Sequence, residues 1–286
     1  MNSTKSCLLT GASGFIGCAT ALALEGDGWK VTRGIRQADS DLKDGCIYLN
    51  LSDPTTILSL LKTHHFDAIV HLGAQVGWSG ATEAEMFVPN VLSTGCLSHL
   101  ARHWNARLVF ASAAIVHGAK MERIESQSPV LLDTLYGRSK WLGEQLIVAS
   151  HAKYCLLRIA GVFGLDGPAH LAINKAIRDA GKGKAPTLVG SGGASRNYVY
   201  VNDVAQAIVY SLRVGLDGIH LLSGQEILSI ADMLRAICDE FLPGMHPISK
   251  IGSEATDQIV QPSSELPVTR GFRQALSDIR KAGTEA

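Results

Sequence analysis

The chain has 286 residues, enough for one large α/β domain with an appendage, and its 26 Lys and Arg balance its 26 Asp and Glu. Zero formal net charge without a long basic block argues against nucleic acid or an anionic membrane as partner, so a small-molecule ligand is expected. No apolar stretch reaches the length of a membrane span or signal peptide, and the six cysteines lack C-x-x-C spacing, so a reduced protein of the cytoplasm is expected.

The apolar run Cys7-Leu8-Leu9 predicts a strand over 6–10 that feeds directly into Gly11-Ala12-Ser13-Gly14-Phe15-Ile16-Gly17 and then a helix. A tight turn needs glycine, a bare Cα lets a pyrophosphate approach, and the helix start offers free N–H groups and a positive dipole end. The run is therefore a candidate dinucleotide phosphate site, with its first glycine pair one residue wider than in G-x-G-x-x-G.

Further strands are expected over 30–35, 46–49, 68–72, 107–111 and 154–159, with helices after Gly14, after Pro54, and across 83–104 and 134–150. Alternating strands and helices imply right-handed βαβ units. The Val, Ile and Leu runs without strict alternation suit a sheet covered on both faces, so the predicted fold is a doubly wound, Rossmann-like parallel sheet.

Past residue 160, glycine and proline become frequent and the regularity weakens. The expected division is a dinucleotide-binding domain over 1–162, rejoined by 197–213, and a smaller substrate lobe from 163–196 and 214–286. A strand over 218–222 and a helix over 230–241 are expected within that last stretch.

The second chemical signal is Tyr136-Gly137-Arg138-Ser139-Lys140 at the start of a helical run. A four-residue step puts the phenol and the ammonium on one helix face. A free tyrosine pKa near ~10 makes acid or base work at neutral pH dependent on a nearby cation, which Lys140 and an oxidised nicotinamide could provide.

Four more segments occur in order: Asp67-Ala68-Ile69-Val70-His71-Leu72-Gly73-Ala74, Phe110-Ala111-Ser112-Ala113-Ala114-Ile115-Val116-His117-Gly118, Leu157-Arg158-Ile159-Ala160-Gly161-Val162-Phe163-Gly164 and Arg196-Asn197-Tyr198-Val199-Tyr200-Val201-Asn202-Asp203-Val204-Ala205. With the glycine run and Tyr136/Lys140, over roughly residues 6–240, the chain resembles the extended short-chain dehydrogenase/reductases, the NAD(P)-dependent epimerase/dehydratase family. The resemblance implies cofactor contacts from Gly11, Ser13, Gly14, Phe15, Ile16 and Gly17, from Leu72, Gly73 and Ala74, and from Tyr136 and Lys140. It further implies an adenine-contacting pair at Asn50 and Leu51, substrate diphosphate at Arg196, a family Asn at Asn90, and a dimer through the two long helices.

Two positions depart from the family pattern. Ala113 stands where the family carries a catalytic Ser or Thr, and Ser112 replaces that hydroxyl only if the strand has ended or bulges there. Gly161 stands where sugar-nucleotide members usually carry Asn. At the end of the second strand, Val31-Thr32-Arg33-Gly34-Ile35-Arg36 offers arginines and no acid, which favours the 2′-phosphate of NADP over the ribose of NAD, through Arg36 assisted by Arg33. The pair His64-His65, with Asp67 close by, lies just before a strand and reads as a surface turn, with no further ligand at metal spacing, so no metal is expected.

The expected activity is NAD(P)-dependent oxidation, reduction or epimerisation at a hydroxyl or keto group of a sugar, carried on a nucleotide. Tyr136, Lys140 and Ser112 are the candidate catalytic residues. A carbonyl reductase of non-nucleotide substrates, and a dinucleotide-binding sensor or scaffold with weakened catalysis, stay open as alternatives.

Overall fold

The computed structural model describes residues 4–36, 44–76 and 80–284. In chain order the first half runs β1 (Ser6–Thr10), α1 (Phe15–Gly26), β2 (Lys30–Ile35), β3 (Cys46–Tyr48), α2 (Pro54–Leu58), β4 (Ala68–His71), α3 (Glu83–Phe87), α4 (Ser93–His103), β5 (Arg107–Ala113), β6 (Arg123–Ile124) and α5 (Leu135–Ala149). The second half runs β7 (Lys153–Ile159), β8 (Val162–Phe163), α6 (Ala172–Gly181), β9 (Thr187–Val189), β10 (Ser195–Arg196), β11 (Val199–Tyr200), α7 (Val201–Val214), β12 (Gly218–Leu222), β13 (Leu228–Ser229), α8 (Ile230–Phe241), β14 (Ile248–Lys250), β15 (Ile259–Val260) and α9 (Phe272–Thr284).

Seven parallel strands form the main sheet in the order β12-β7-β5-β4-β1-β2-β3. The order reverses direction between β1 and β4, where Thr10 pairs with His71, and a crevice opens beyond such a switch point at the carboxyl ends of the strands. Alternate residues of each strand feed opposite layers. Cys7, Leu9, Val70, Val109 and Leu157 meet α1, α7 and the helices of the second half, while Leu8, Ile69, Leu108, Phe110 and Leu156 meet the layer holding Ile57, Leu97, Leu100 and Ile147. Continuous apolar runs are required because both faces are buried, each large side chain contributing roughly 1.5–3 kcal/mol.

Two expectations change. The stretch 214–286 does not lie wholly in the lobe, because Gly218–Leu222 pairs in register with Cys155–Ile159 and closes one edge of the main sheet. A five-residue strand that returns to the sheet after α7 leaves no compositional boundary to mark it. The helix expected over 83–104 is also not uniform: Val88–Leu92 widens to a π-helical turn that contains Pro89. Proline has no N–H to give the regular ladder, and the wider turn accommodates it.

Outside the main sheet lie short paired strands, β8 with β11, β9 with β14, β10 with β13, and β6 with β15. α6 packs on α8, and α8 on α9. Asp203 of α7 anchors the carboxy-terminal segment by accepting from the backbone N and the Nε of Arg270, both at 2.8 Å.

Candidate functional site

β1 ends at Thr10, and Gly11 turns the chain with φ +69°. A Cβ there would lie 2.6 Å from the backbone N of Gly73, so both conformation and space demand glycine. At Gly17 a Cβ would meet the Gly11 carbonyl oxygen at 2.0 Å, which lets α1 press against the turn. Gly14 caps α1 with extended backbone, no side-chain cap and no acidic residue in the first turn. The helix start is thus open to an anion.

Gly11, Ser13 and Gly14 line one side of a cleft, Arg36, Asn50 and Leu51 another, and Gly73 and Ala74 the wall after β4. Among the described residues lining it, none is acidic and Arg36 is the one with a charge. Arg36 is exposed, whereas Arg33 is held at 2.5 Å by Glu25 of α1 and does not line the cleft. The expected assistance from Arg33 is therefore corrected: alternation along β2 turns it to the α1 side. Residues not anticipated from sequence also line the cleft, among them Thr10, Gly34, Ser52 and Gln75.

Leu72 lines both this cleft and a second, deeper pocket, so the two adjoin. Phe15, Ile16, Tyr136 and Lys140 belong to the deeper pocket, together with Arg196 from the lobe side. Gly17 lines neither; its part is packing. A glycine-lined cleft thus stands beside a pocket that holds Tyr136 and Lys140.

α5 starts at Thr134, whose hydroxyl accepts from the Gly137 N–H at 3.0 Å, and one turn of helix brings Tyr136 and Lys140 together. The Lys140 ammonium is buried, donates to the Ala111 carbonyl at 2.7 Å, and lies 4.6 Å from the Phe110 ring centre and 5.8 Å from that of Tyr136. Burial pushes its pKa down to about 7, partly offset by the Glu144 carboxylate one turn on. Burial pushes the Tyr136 phenol up to about 12, and Lys140 does not bring it down. The lowering expected from Lys140 together with an oxidised nicotinamide is not supplied by Lys140 in the chain by itself, where burial sets the direction.

Asn90, on the π-helical turn, accepts from the Gln75 N–H at 2.7 Å and donates to the Gln75 carbonyl and the Ser139 hydroxyl. It ties the wall after β4 to the residue preceding Lys140. His71 is buried between Thr10 and Thr94, and burial drives its pKa to about 3, so it is a neutral packed residue.

Ser112 lines the deeper pocket with Ala111 and Ala113, but its hydroxyl is engaged elsewhere. β5 runs unbroken through Ala113, and the Ser112 hydroxyl points to the α5 layer and donates to the buried carboxylate of Glu144. Glu144 also receives two bonds from Arg158, at 3.0 and 2.7 Å, and Arg158 reaches His117 at 3.1 Å. His117 meets the Pro129 carbonyl at 2.9 Å through its other ring nitrogen. Ala113 presents only a methyl to the pocket. At Gly161 a Cβ would lie 2.4 Å from the Tyr198 ring, which fills the space of the side chain absent there.

Arg196 lines the pocket with one guanidinium nitrogen fixed on the carbonyls of Ser195 and Thr256 and a further side-chain bond to Tyr198. Pocket residues that the sequence reading did not single out include Tyr198, Gln258 and Val260. Tyr198 lay within a quoted motif, but Gln258 comes from a tail without periodicity and reaches the pocket through the pairing of β15 with β6.

A reversing parallel sheet with a glycine cradle at its switch point defines a doubly wound dinucleotide-binding protein. The sequence pattern of the NAD dependent epimerase/dehydratase family matches residues 7–222, and the chain belongs to that family. It is 25% identical over 248 residues to UDP-arabinose 4-epimerase 1 of Arabidopsis thaliana, covering 72% of this chain and 59% of the relative. It is 24% identical to UDP-N-acetyl-alpha-D-glucosaminuronate decarboxylase of Bacillus cytotoxicus, covering 94% of this chain and 87% of the relative. Several curated relatives are longer, and the chain spans 57% of one of them. UDP-glucuronic acid 4-epimerase from Bacillus cereus, solved in complex with NAD, shares the fold with a TM-score of 0.79 at 20% identity, over 96% of each chain. Among the described residues no helix is long and apolar enough to cross a membrane.

Proposed function

We propose that this chain is an NADP-dependent oxidoreductase or epimerase acting on a hydroxyl or keto group of a sugar carried on a nucleotide diphosphate. The observation that carries the reading is that Tyr136, Lys140 and Arg196 line one pocket, which shares Leu72 with the glycine-lined cleft beside it. When bound, the nicotinamide supplies the site with a hydride donor or acceptor. Tyr136 exchanges the proton at its hydroxyl, and a positive charge nearby is needed to bring a phenol held near 12 into use at neutral pH. Lys140 spends one of its three N–H donors on Ala111 and keeps two for ribose hydroxyls. Arg196 retains donors for a substrate phosphate beyond those fixed on the backbone.

Arg36, in a cleft wall without a carboxylate among the described residues, supports NADP over NAD. A homodimer in the cytoplasm, with a dinucleotide domain and a substrate-shaping lobe, completes the reading. Incubation with sugar nucleotides and prebound cofactor tests it. Reduction consumes NADPH in step with substrate, whereas epimerisation returns the hydride and consumes none; absence of both sinks the proposal.

Two observations favour other readings. The largely aliphatic pocket wall, with Ala113, Ala114 and Leu171, favours a reductase of non-nucleotide carbonyls, for which Arg196→Ala leaves the substrate KM unchanged. Ala113, with the Ser112 hydroxyl committed to Glu144, favours a dinucleotide sensor. Tight NADP binding without turnover on sugar nucleotides or simple ketones is its signature.

A further inference from the structure

Resting on the reading of the deeper pocket as a sugar-nucleotide site, we infer that Gln258 is a specificity-determining residue whose carboxamide donates to a phosphate oxygen of the substrate beside Arg196. The two residues are partners in a parallel bridge, and the Gln258 N–H donates to the Ser195 carbonyl at 3.0 Å. Laterally paired residues put their side chains on the same face, and both side chains line the pocket.

The other polar side chains of that wall are already committed. The Asn197 amide donates to Ser223, Gly224 and Val260 and accepts from the Val260 N–H. Tyr198 is bonded to Arg196, the Ser112 hydroxyl to Glu144, and His170 has a partner within the chain. The Gln258 carboxamide makes no bond among the described residues, although it is half-buried in the wall.

Its backbone is held in advance of any ligand. Asp257 accepts from the Ser195 N–H at 2.7 Å, Glu254 from the N–H and hydroxyl of Ser191, and the Thr256 carbonyl from Arg196. The exposed segment 251–257 thus lies across β10 and delivers Gln258 at its inner end. A free amide donor fixed next to a guanidinium, in a wall with no carboxylate among the described residues, suits an anionic oxygen.

Calorimetric titration with UDP-glucose and with UDP, on the full chain preloaded with NADPH, tests this. Gln258→Leu is expected to weaken both probes about 10-fold or more. Gln258→Glu, which sets a carboxylate beside Arg196, is expected to weaken them further. NADPH affinity should stay within about twofold in both variants, which reports an intact fold. If the unaltered protein binds UDP-glucose and UDP and Gln258→Leu binds them equally well, the assignment of Gln258 is overturned while the substrate class stands. If the unaltered protein binds neither probe, both are overturned.

Discussion

The hydroxyl of Ser112 donates to the buried carboxylate of Glu144, while the adjacent Ala113, which lines the same pocket, carries only a methyl. Strand geometry enforces the choice, because neighbouring side chains leave opposite faces and β5 has no bulge at this point. A polarising hydroxyl must therefore come from position 113 itself. Ala113→Ser is expected to raise kcat roughly 10- to 100-fold with little change in KM, the reverse of removing an oxyanion donor. Ser112→Ala should leave kcat within a few-fold and lower the thermal midpoint, because Glu144 loses a buried donor. Steady-state kinetics and thermal unfolding on the two variants decide it; a collapse of kcat in Ser112→Ala would contradict the geometry.

Lys140 gives a pH-dependent signature. Its pKa falls from 10.5 in the free side chain to about 7 in the fold, so between these values the unfolded chain binds more protons and stability rises with pH. The burial cost is present in full below pH 7 and fades towards 10.5. Lys140→Met should accordingly raise the melting temperature by roughly 5 °C at pH 6 and by less at pH 9, while turnover is lost. A uniform shift across that range would show that burial does not set the Lys140 pKa. Tyr136→Phe, by contrast, should cut kcat by about 100-fold or more at every pH, since it removes the proton donor itself.

Cofactor preference reduces to one charge. Arg36 lines the cleft, and Arg33, three residues earlier, is turned to Glu25. Arg36→Glu is expected to weaken NADP by roughly 10- to 100-fold and to improve NAD, because a charged hydrogen bond to phosphate is exchanged for an acceptor of ribose hydroxyls. Arg33→Ala should change neither. Fluorescence titration of NADPH and NADH distinguishes them, and equal loss in both variants would assign the preference elsewhere.

The parts legible in the sequence were those where local chemistry and fold agree. Cys7-Leu8-Leu9 running into Gly11, Gly14 and Gly17 reads locally as a strand, a tight turn and a helix start, and the step from Tyr136 to Lys140 is one helical turn. Long-range pairing was not legible. Nothing in Gly218–Leu222 tells an edge of the main sheet from a lobe strand, and Gln258 becomes a pocket residue only because Arg196 lies across from it. The alternation of Ser112 and Ala113 could be reasoned from strand geometry, but the partner of Ser112 is 32 residues away, on α5. The helix expected over 83–104 ran straight through Pro89, with no sign that the turn there would widen and seat Asn90.

The most consequential of these distant pairings is Glu144 with Arg158. The Glu144 side chain is fully buried and Arg158 nearly so, and they are joined by two bonds, with Ser112 and His117 completing the set. Desolvating both ions offsets most of their attraction, so the intact pair adds little net stability, yet removing one partner strands the other. Glu144→Gln should therefore cost about 3–5 kcal/mol, seen as a lower urea midpoint at unchanged m. Adding Arg158→Met should restore much of that loss, since the stranded guanidinium goes with it. If the double variant is as unstable as the sum of the singles, the two residues act independently and the network is not the brace that holds the Ser112 hydroxyl on Glu144. A double variant that regains stability yet loses turnover would show that the brace also serves Lys140, which lies one turn before Glu144 and bonds to the carbonyl next to Ser112.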